Sequence, residues 1–173
     1  MAAPCFYNIA MPTLKYLAAY PPHLQDQVQA LLDRNELGSV LARKYPDRHA
    51  VQTDKALYDY VIGLKTRHLK NAVPVTKVYY DNQLDLIGGT LGTNTFAVRV
   101  QGSKVRRKNE IRIASLFRDT PAPFLSMIVV HELAHLKEKD HNKAFYQLCC
   151  HMEPDYHQLE FDLRVWLTWK DTL

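Results

Sequence analysis

The chain has 173 residues, with 22 Lys and Arg against 18 Asp and Glu, and a formal net charge of +4. This length fits one domain, and the composition, 47% hydrophobic and 23% charged, is that of a globular protein rather than a disordered one. Three cysteines, two of them adjacent, cannot form a disulfide framework, so we expect a reducing, cytoplasmic compartment. The longest apolar run, residues 124–130, is far shorter than the roughly 20 residues of a membrane span.

Residues 1–10 are expected to be a short extension, and residues 11–173 a single domain. The first basic residue is Lys15, so no charged segment precedes an apolar stretch as it would in a secretion signal. Met11 could be an alternative start.

The first third of the chain has the pattern of helices. Pro21 and Pro22 suit a helix start, and the apolar residues that follow recur at helical spacing: Leu24, Val28, Leu31 and Leu32. Gly38 is expected to interrupt the chain, and a short segment over 39–45 should end before Pro46. A longer helix is predicted over 53–70, with Thr53 as its N-cap.

The middle third has the pattern of strands. Segment 75–80 is β-branched and aromatic, and 95–101 alternates between apolar and polar residues, as does the segment from 110 to 116. Gly102 and Ser103 are a plausible hairpin tip, and Gly88, Gly89 and Gly92 mark turns or bulges.

The last third is helical again. Thr120 and Pro121 are expected to start a helix that is apolar on almost all sides as far as Leu136. Asp140 is expected to cap the next helix, which should end before Pro154 and bury a stripe formed by Ala144, Leu148 and Met152. The final helix should bury Tyr156, Leu159, Leu163 and Trp166. Helical segments that come before and after a group of strands in the sequence predict an α+β fold.

The chemistry is concentrated in the apolar helix, where residues 131–135 read His-Glu-Leu-Ala-His. Two His at i and i+4 lie about 40° apart around a helix, so both imidazoles can reach one ion. Glu132 projects beside that ion and is placed to take a proton from the water bound there. His141 follows six residues after His135 and completes a set of three nitrogen donors with one open position. This is the ligand set of a catalytic zinc site, so we predict one zinc ion per chain.

The residues around this motif resemble the YgjP-like metallopeptidase domain family. The resemblance rests on segment 128–137, His141, segments 143–145 and 154–156, and the helix with Trp166, and segment 16–21 resembles the subgroup named after YgjP. It implies a zincin-like fold, in which a small mixed or antiparallel sheet packs on the HExxH helix, with helices at both ends of the chain. It also implies His131, His135 and His141 as zinc ligands and Glu132 as the general base.

Two departures from related patterns stand out. The wider family commonly has Trp-Gly-Ser-Cys in the strand region, whereas segment 89–95 here has neither Trp nor Cys, a difference that concerns the substrate pocket and not the metal. The ligand spacing equals that of metzincins, but Glu138 occupies the place of the glycine that lets their chain turn sharply.

These residues are compatible with three functions. The first is a zinc metallopeptidase that uses water activated by Glu132, and the alternative is a metal-dependent UTP pyrophosphatase, as members of the resembling subgroup have been described. The segment from Arg99 to Arg118 has seven basic residues and one acidic residue, so its net charge is +6, and its arginines could bind phosphates. The proposed substrate-binding residues are Arg99, Arg106, Arg107 and Arg112. A third hypothesis, docking on nucleic acid, lacks the expected basic–aromatic alternation, so we expect a small-molecule or peptide substrate instead.

Other side chains have packing or surface roles as their default interpretation. Tyr146, His151 and His157 could stabilise a developing oxyanion, but surface or capping roles are favoured for the two histidines and a packed position for Tyr146. Of the neighbours Cys149 and Cys150, which point about 100° apart on a helix, one is expected in the core and the other partly exposed. The oligomeric state is not indicated.

Overall fold

The structure, a computed structural model, describes residues 14–84, 92–101 and 104–173, and of residues 92–101 and 104–108 it describes the backbone only. The described chain divides into two compact units, one formed by the residues up to Arg43 together with Arg164–Leu173, the other by Lys44–Leu163. The elements in chain order are helices α1 (Pro22–Asp33), α2 (Leu37–Lys44) and α3 (Asp54–His68), strands β1 (Lys77–Asp81), β2 (Gly92–Gln101) and β3 (Lys104–Ala114), and helices α4 (Ala122–Ala134), α5 (Lys143–Met152) and α6 (Tyr156–Lys170). The α+β class is confirmed.

The turn between α1 and α2 is made by Asn35 and not, as predicted, by Gly38. Asn35 has φ 55°, a left-handed conformation that Asn tolerates, and its N–H donates to the Leu32 carbonyl at 2.8 Å. Gly38 lies inside the first turn of α2, where a Cβ atom would lie 2.7 Å from Nε1 of Trp169. Glycine is therefore required there by close packing rather than by a bend.

The sheet is mixed, with strand order β1–β3–β2. β1 pairs with β3 in parallel, from Lys77 opposite Glu110 to Asp81 opposite Ala114, whereas β2 and β3 are antiparallel. Gly92 is the first residue of β2 rather than a turn, and the third strand ends at Ala114, earlier than expected, where a 3-10 turn begins. The proposed hairpin tip at 102–103 and the glycines at 88 and 89 lie outside the described residues.

One face of the sheet is covered by helices. Val78, Tyr80, Ile111 and Ile113 alternate along β1 and β3 and are all buried. α3 lies against β1, and α4 lies against β2 and β3. This arrangement, a small mixed sheet on the HExxH helix, is the zincin-like fold expected from the resemblance.

α4 is buried on nearly all sides, as its sequence predicts. Nine of its 13 residues are buried, and among them Glu132 is the only acidic one. The helix begins one residue later than expected, with Pro121 at the N-cap, while the Thr120 hydroxyl donates to the Phe117 carbonyl at 3.0 Å instead of capping. It ends at Ala134 rather than Leu136, so His135 is the residue at its C-cap.

Two details of the C-terminal helices differ from the sequence prediction. The N-cap of α5 is Asn142, whose side-chain oxygen accepts from the Phe145 N–H at 2.9 Å, and not Asp140. Its buried stripe consists of Phe145, Cys149 and Met152, whereas Ala144 is exposed and Leu148 only half-buried. In α6 the predicted buried residues are confirmed: Tyr156, Leu159, Leu163 and Trp166. None of the helices in the described part of the chain combines the length and apolar character needed to cross a membrane.

The capping assignment gives a direct test. Asn142→Ala should lower the free energy of unfolding by about 1 kcal/mol, because it removes the cap hydrogen bond to Phe145. Asp140→Ala should change it by less than about 0.5 kcal/mol, because Asp140 is exposed and outside the cap. Urea unfolding of both variants measures the difference, and equal losses would contradict the assignment.

Candidate metal centre

Three imidazoles converge at the C-terminal end of α4. His131 lies in the last turn of the helix, His135 at its C-cap, and His141 in the segment just before α5. One ring nitrogen of each lies within 4.8 Å of the others, and Nε2 of His131 is 3.1 Å from Nε2 of His141. Two nitrogens bound tetrahedrally to one zinc ion are about 3.3 Å apart, which is close to this separation. The structure therefore brings all three predicted ligands together.

The remaining ring nitrogens of two of these histidines are already hydrogen-bonded. Nδ1 of His131 is 2.7 Å from the Tyr156 hydroxyl, and Nδ1 of His135 is 3.0 Å from the backbone carbonyl of Glu138. Because a carbonyl can only accept, His135 carries its proton on Nδ1 and presents the Nε2 lone pair to the centre. Partners of this kind on the outer nitrogen are typical of metal-binding histidines. The donor set thus fits a metal ion bound through Nε2.

The three imidazoles all pack against the ring of Phe145. Its fully buried ring lies 4.9 Å from the ring of His131, 4.6 Å from that of His135 and 4.7 Å from that of His141, measured between centroids. Rings packed against a common surface have few alternative orientations, so the geometry of the donor set is held by packing as well as by hydrogen bonds.

The turn after His135 is made without a glycine. Backbone N–H groups of Leu136 and Lys137 donate to carbonyls three residues earlier, at 3.1 and 3.0 Å, and Glu138 donates to Ala134 at 3.0 Å. Among the described non-glycine residues only Asn35 has a positive φ, so Glu138 needs no left-handed conformation. This tight turn also directs the Glu138 carbonyl towards His135.

Electrostatics at this end of α4 favour a cation. The C-terminal end of a helix carries partial negative charge from its free carbonyl groups. Burial also lowers the pKa of His135, so that its imidazole is neutral and able to bind a metal near pH 7. This end of the helix therefore favours a cation, and His135 meets it in the neutral form that can bind a metal.

Glu132 is the carboxylate of the centre and is almost completely buried, with 2% of its surface exposed. Burial raises the pKa of Glu132 to about 8, because the surrounding apolar helix disfavours the charged form. A cation held by the neighbouring imidazoles would stabilise the carboxylate and oppose this shift. A carboxyl with a pKa in this range can accept a proton and release it again near neutral pH.

The other candidate side chains are distributed unevenly. The ring of Tyr146 lies 6.4 Å from that of His141 and 5.4 Å from that of His157. Tyr146 and His157 therefore lie at the rim of the centre. His151 instead contacts His68 edge to face at 5.8 Å. Cys149 is buried and Cys150 half-buried, as expected.

The predicted substrate-binding arginines are only partly described. Arg112 pairs with Asp81 at 3.2 Å, and its position in β3 between the buried Ile111 and Ile113 puts it on the opposite face of the sheet from the core. The side chains of Arg99, Arg106 and Arg107 lie outside the described part of the structure.

Sequence reasoning missed three contributions to the centre. No pattern in the sequence assigns a role to Phe145, and helical spacing predicts Tyr156 only as a buried residue of the last helix. The Glu138 carbonyl gives no signal at all, since any residue type carries one. Tyr156 is 25 positions from His131, so no helical spacing links them. A buried tyrosine does need a partner for its hydroxyl, and that was the one available hint.

Comparison with known proteins agrees with this geometry. The model of the YgjP-like metallopeptidase domain family matches residues 96–165, a segment that contains the three histidines, Glu132 and Tyr156. A YgjP-type fold with a histidine triad and a buried glutamate defines a metal-dependent hydrolase. The chain is 58% identical over 158 residues to the protein of Escherichia coli K12 named UTP pyrophosphatase. The matched region covers 91% of this chain and 95% of that protein. The chain belongs to the YgjP-like family. No solved structure matches it.

Metal binding at the triad can be measured by thermal unfolding. Adding zinc to metal-free protein at about 100 times its dissociation constant should stabilise the fold by about 2.7 kcal/mol, because the ion binds only the folded state. For a chain of this size that corresponds to a rise in Tm of about 5–10 °C.

His141→Ala should lose most of this rise, because it removes one of the three donors. His151→Ala is the matched control, since this exposed histidine contacts His68 and not the triad. A zinc-induced rise that is equal in the two variants would contradict the ligand assignment.

Proposed function

We propose that this protein is a zinc-dependent nucleoside triphosphate pyrophosphohydrolase that acts on UTP. The observation that carries this proposal is the 58% identity with a protein named UTP pyrophosphatase across 91% of the chain. Similarity over nearly the whole length favours a shared substrate class over the peptidase that the sequence motif suggested first. The histidine triad and Glu132 support the hydrolytic part of the proposal.

His131, His135 and His141 would hold the ion through Nε2, and three neutral nitrogen donors are a common ligand set for zinc. When bound, zinc supplies Lewis acidity, which activates water and neutralises charge on a phosphoryl oxygen. The chain's own contribution is to fix the three imidazoles with Phe145, Tyr156 and the Glu138 carbonyl.

Glu132 is proposed as the general base. Its carboxylate takes one proton from the attacking water, whose oxygen bonds to a phosphorus of the α,β-phosphoanhydride. The bond between that phosphorus and the bridging oxygen breaks, and UMP and pyrophosphate are released. The protonated Glu132 carboxyl then returns the proton to the leaving group or to solvent.

A triphosphate carries several negative charges and needs cationic partners besides the metal. The basic segment from Arg99 to Arg118 supplies a net charge of +6 within and just after β2 and β3. In the register of these strands Arg99 lies directly opposite Arg106, and Arg107 is opposite Val98. We propose Arg99, Arg106, Arg107 and Arg112 as the candidates for phosphate binding, of which Arg112 also pairs with Asp81.

Peptide hydrolysis is the second candidate, favoured by the description of the matching family model and by one feature of the sheet. β2 is an edge strand and lies against α4. An extended peptide could pair with such an edge by strand addition.

One paired assay distinguishes the two candidates. Zinc-loaded protein should release pyrophosphate from UTP, and it should not cut unfolded casein. Glu132→Gln should lower kcat at least about 100-fold, because the amide cannot accept the proton.

Glu138→Gln is the matched control and should keep activity, because Glu138 acts on His135 through its backbone carbonyl. Casein cleavage that depends on Glu132, without pyrophosphate release, would replace the pyrophosphohydrolase by the peptidase. Full activity of Glu132→Gln would exclude Glu132 as the base in both.

The phosphate-binding role has its own test. Arg106→Ala should raise KM for UTP about tenfold, which is the loss of one charge-assisted contact to phosphate. Arg34→Ala removes a cation that forms an exposed pair with Glu36, and it should leave KM unchanged. Equal KM values in the wild type and Arg106→Ala would remove Arg106 from the substrate site.

A further inference from the structure

The hydroxyl of Tyr156 contacts one of the three histidines of the candidate metal centre. It lies 2.7 Å from Nδ1 of His131, on the side of the ring opposite the nitrogen that faces the other imidazoles. Tyr156 is the first residue of α6 and is fully buried. A hydroxyl in such a position costs free energy unless it is hydrogen-bonded, so its partners are part of its function.

The chain holds Tyr156 close to α5, the helix that carries Phe145. Cys149 is fully buried and lies four residues after Phe145, so both project from one face of α5. Only three residues separate the end of α5 from Tyr156, so this short connection limits where the Tyr156 hydroxyl can lie relative to that face.

This contact determines the direction of the hydrogen bond. For His131 to offer its Nε2 lone pair to a metal, its proton must be on Nδ1 and must be donated to an acceptor. The Tyr156 oxygen, 2.7 Å from Nδ1, is that acceptor. The pair thus satisfies the Nδ1–H donor with His131 in the metal-binding tautomer.

We propose that Tyr156 is the positioning residue of His131, and that its hydroxyl selects the Nε2 metal-binding tautomer and fixes the orientation of the ring. This inference rests on the metal site of the proposed function but does not depend on the substrate. His135 depends on a backbone carbonyl, which no substitution removes, whereas the orientation of His131 depends on a side chain.

The chemistry of the partner also matters. Many metal-binding histidines are paired with a carboxylate, which makes the imidazole a more basic ligand. A neutral phenol orients the ring while adding no negative charge. The centre therefore keeps the Lewis acidity that hydrolysis requires.

The test is zinc affinity, measured by competition with a chromophoric chelator at a temperature at which every variant is folded. Tyr156→Phe should weaken zinc binding about 10- to 100-fold, as loss of an outer partner typically does.

Tyr80→Phe is the matched control. It also removes the hydroxyl of a buried tyrosine, one that donates to the Val51 carbonyl at 2.8 Å and not to a residue of the triad. Both tyrosine variants should lose a similar amount of stability without metal, while only Tyr156→Phe loses zinc affinity. Equal zinc affinity of the two variants would overturn the proposal.

A measurement on the wild type covers the case in which Tyr156→Phe does not fold. Nitrogen-15 NMR of histidine-labelled, zinc-loaded protein should show His131 protonated at Nδ1, with that proton protected from exchange. Protonation at Nε2, or rapid exchange, would refute the inference. If the wild type binds no zinc, the metal site of the proposed function fails. If it binds zinc and Tyr156→Phe binds equally well, only the positioning role fails.

Discussion

α4 is apolar on almost every face, and the packing of the unit Lys44–Leu163 depends on the free energy gained by burying this helix. α3, α5 and the sheet surround it, so that nine of its 13 residues are removed from water. Such a helix can keep polar residues only where they find partners, and His131 and His135 lie at its C-terminal end for that reason. The metal centre is thus placed by the same burial that stabilises the fold.

The elements around this helix end also determine the details of the centre. α5 contributes Phe145 beneath the three imidazoles, the first residue of α6 contributes the hydroxyl beside His131, and the turn after α4 contributes the Glu138 carbonyl. Each support comes from a different segment of chain. The geometry of the donor set therefore depends on the packing of three connections rather than on the motif alone.

The two candidate reactions share this centre and differ in what surrounds it. Activation of water by a cation and a buried carboxylate serves a phosphoanhydride and a peptide equally well. The choice depends on whether β2 is used as an edge for strand pairing or, with β3, as a carrier of basic side chains. Similarity across nearly the whole chain favours the second use.

The sequence by itself determined the candidate histidine triad, because the spacing of His131 and His135 is a property of any α-helix and His141 follows at a short distance. It also determined the α+β class, the Thr53 cap and the buried stripe of α6, since these depend on local periodicity and capping chemistry.

Tertiary structure alone decided the cap of α5, where Asn142 and not Asp140 meets the free N–H, and the place of Gly38, which is set by contact with Trp169. It likewise decided the pairing of Tyr156 with His131, because residues 25 positions apart meet only when α4 and α6 pack. Local spacing can be read from the order of residues, but contacts between distant segments exist only after the chain has buried its core.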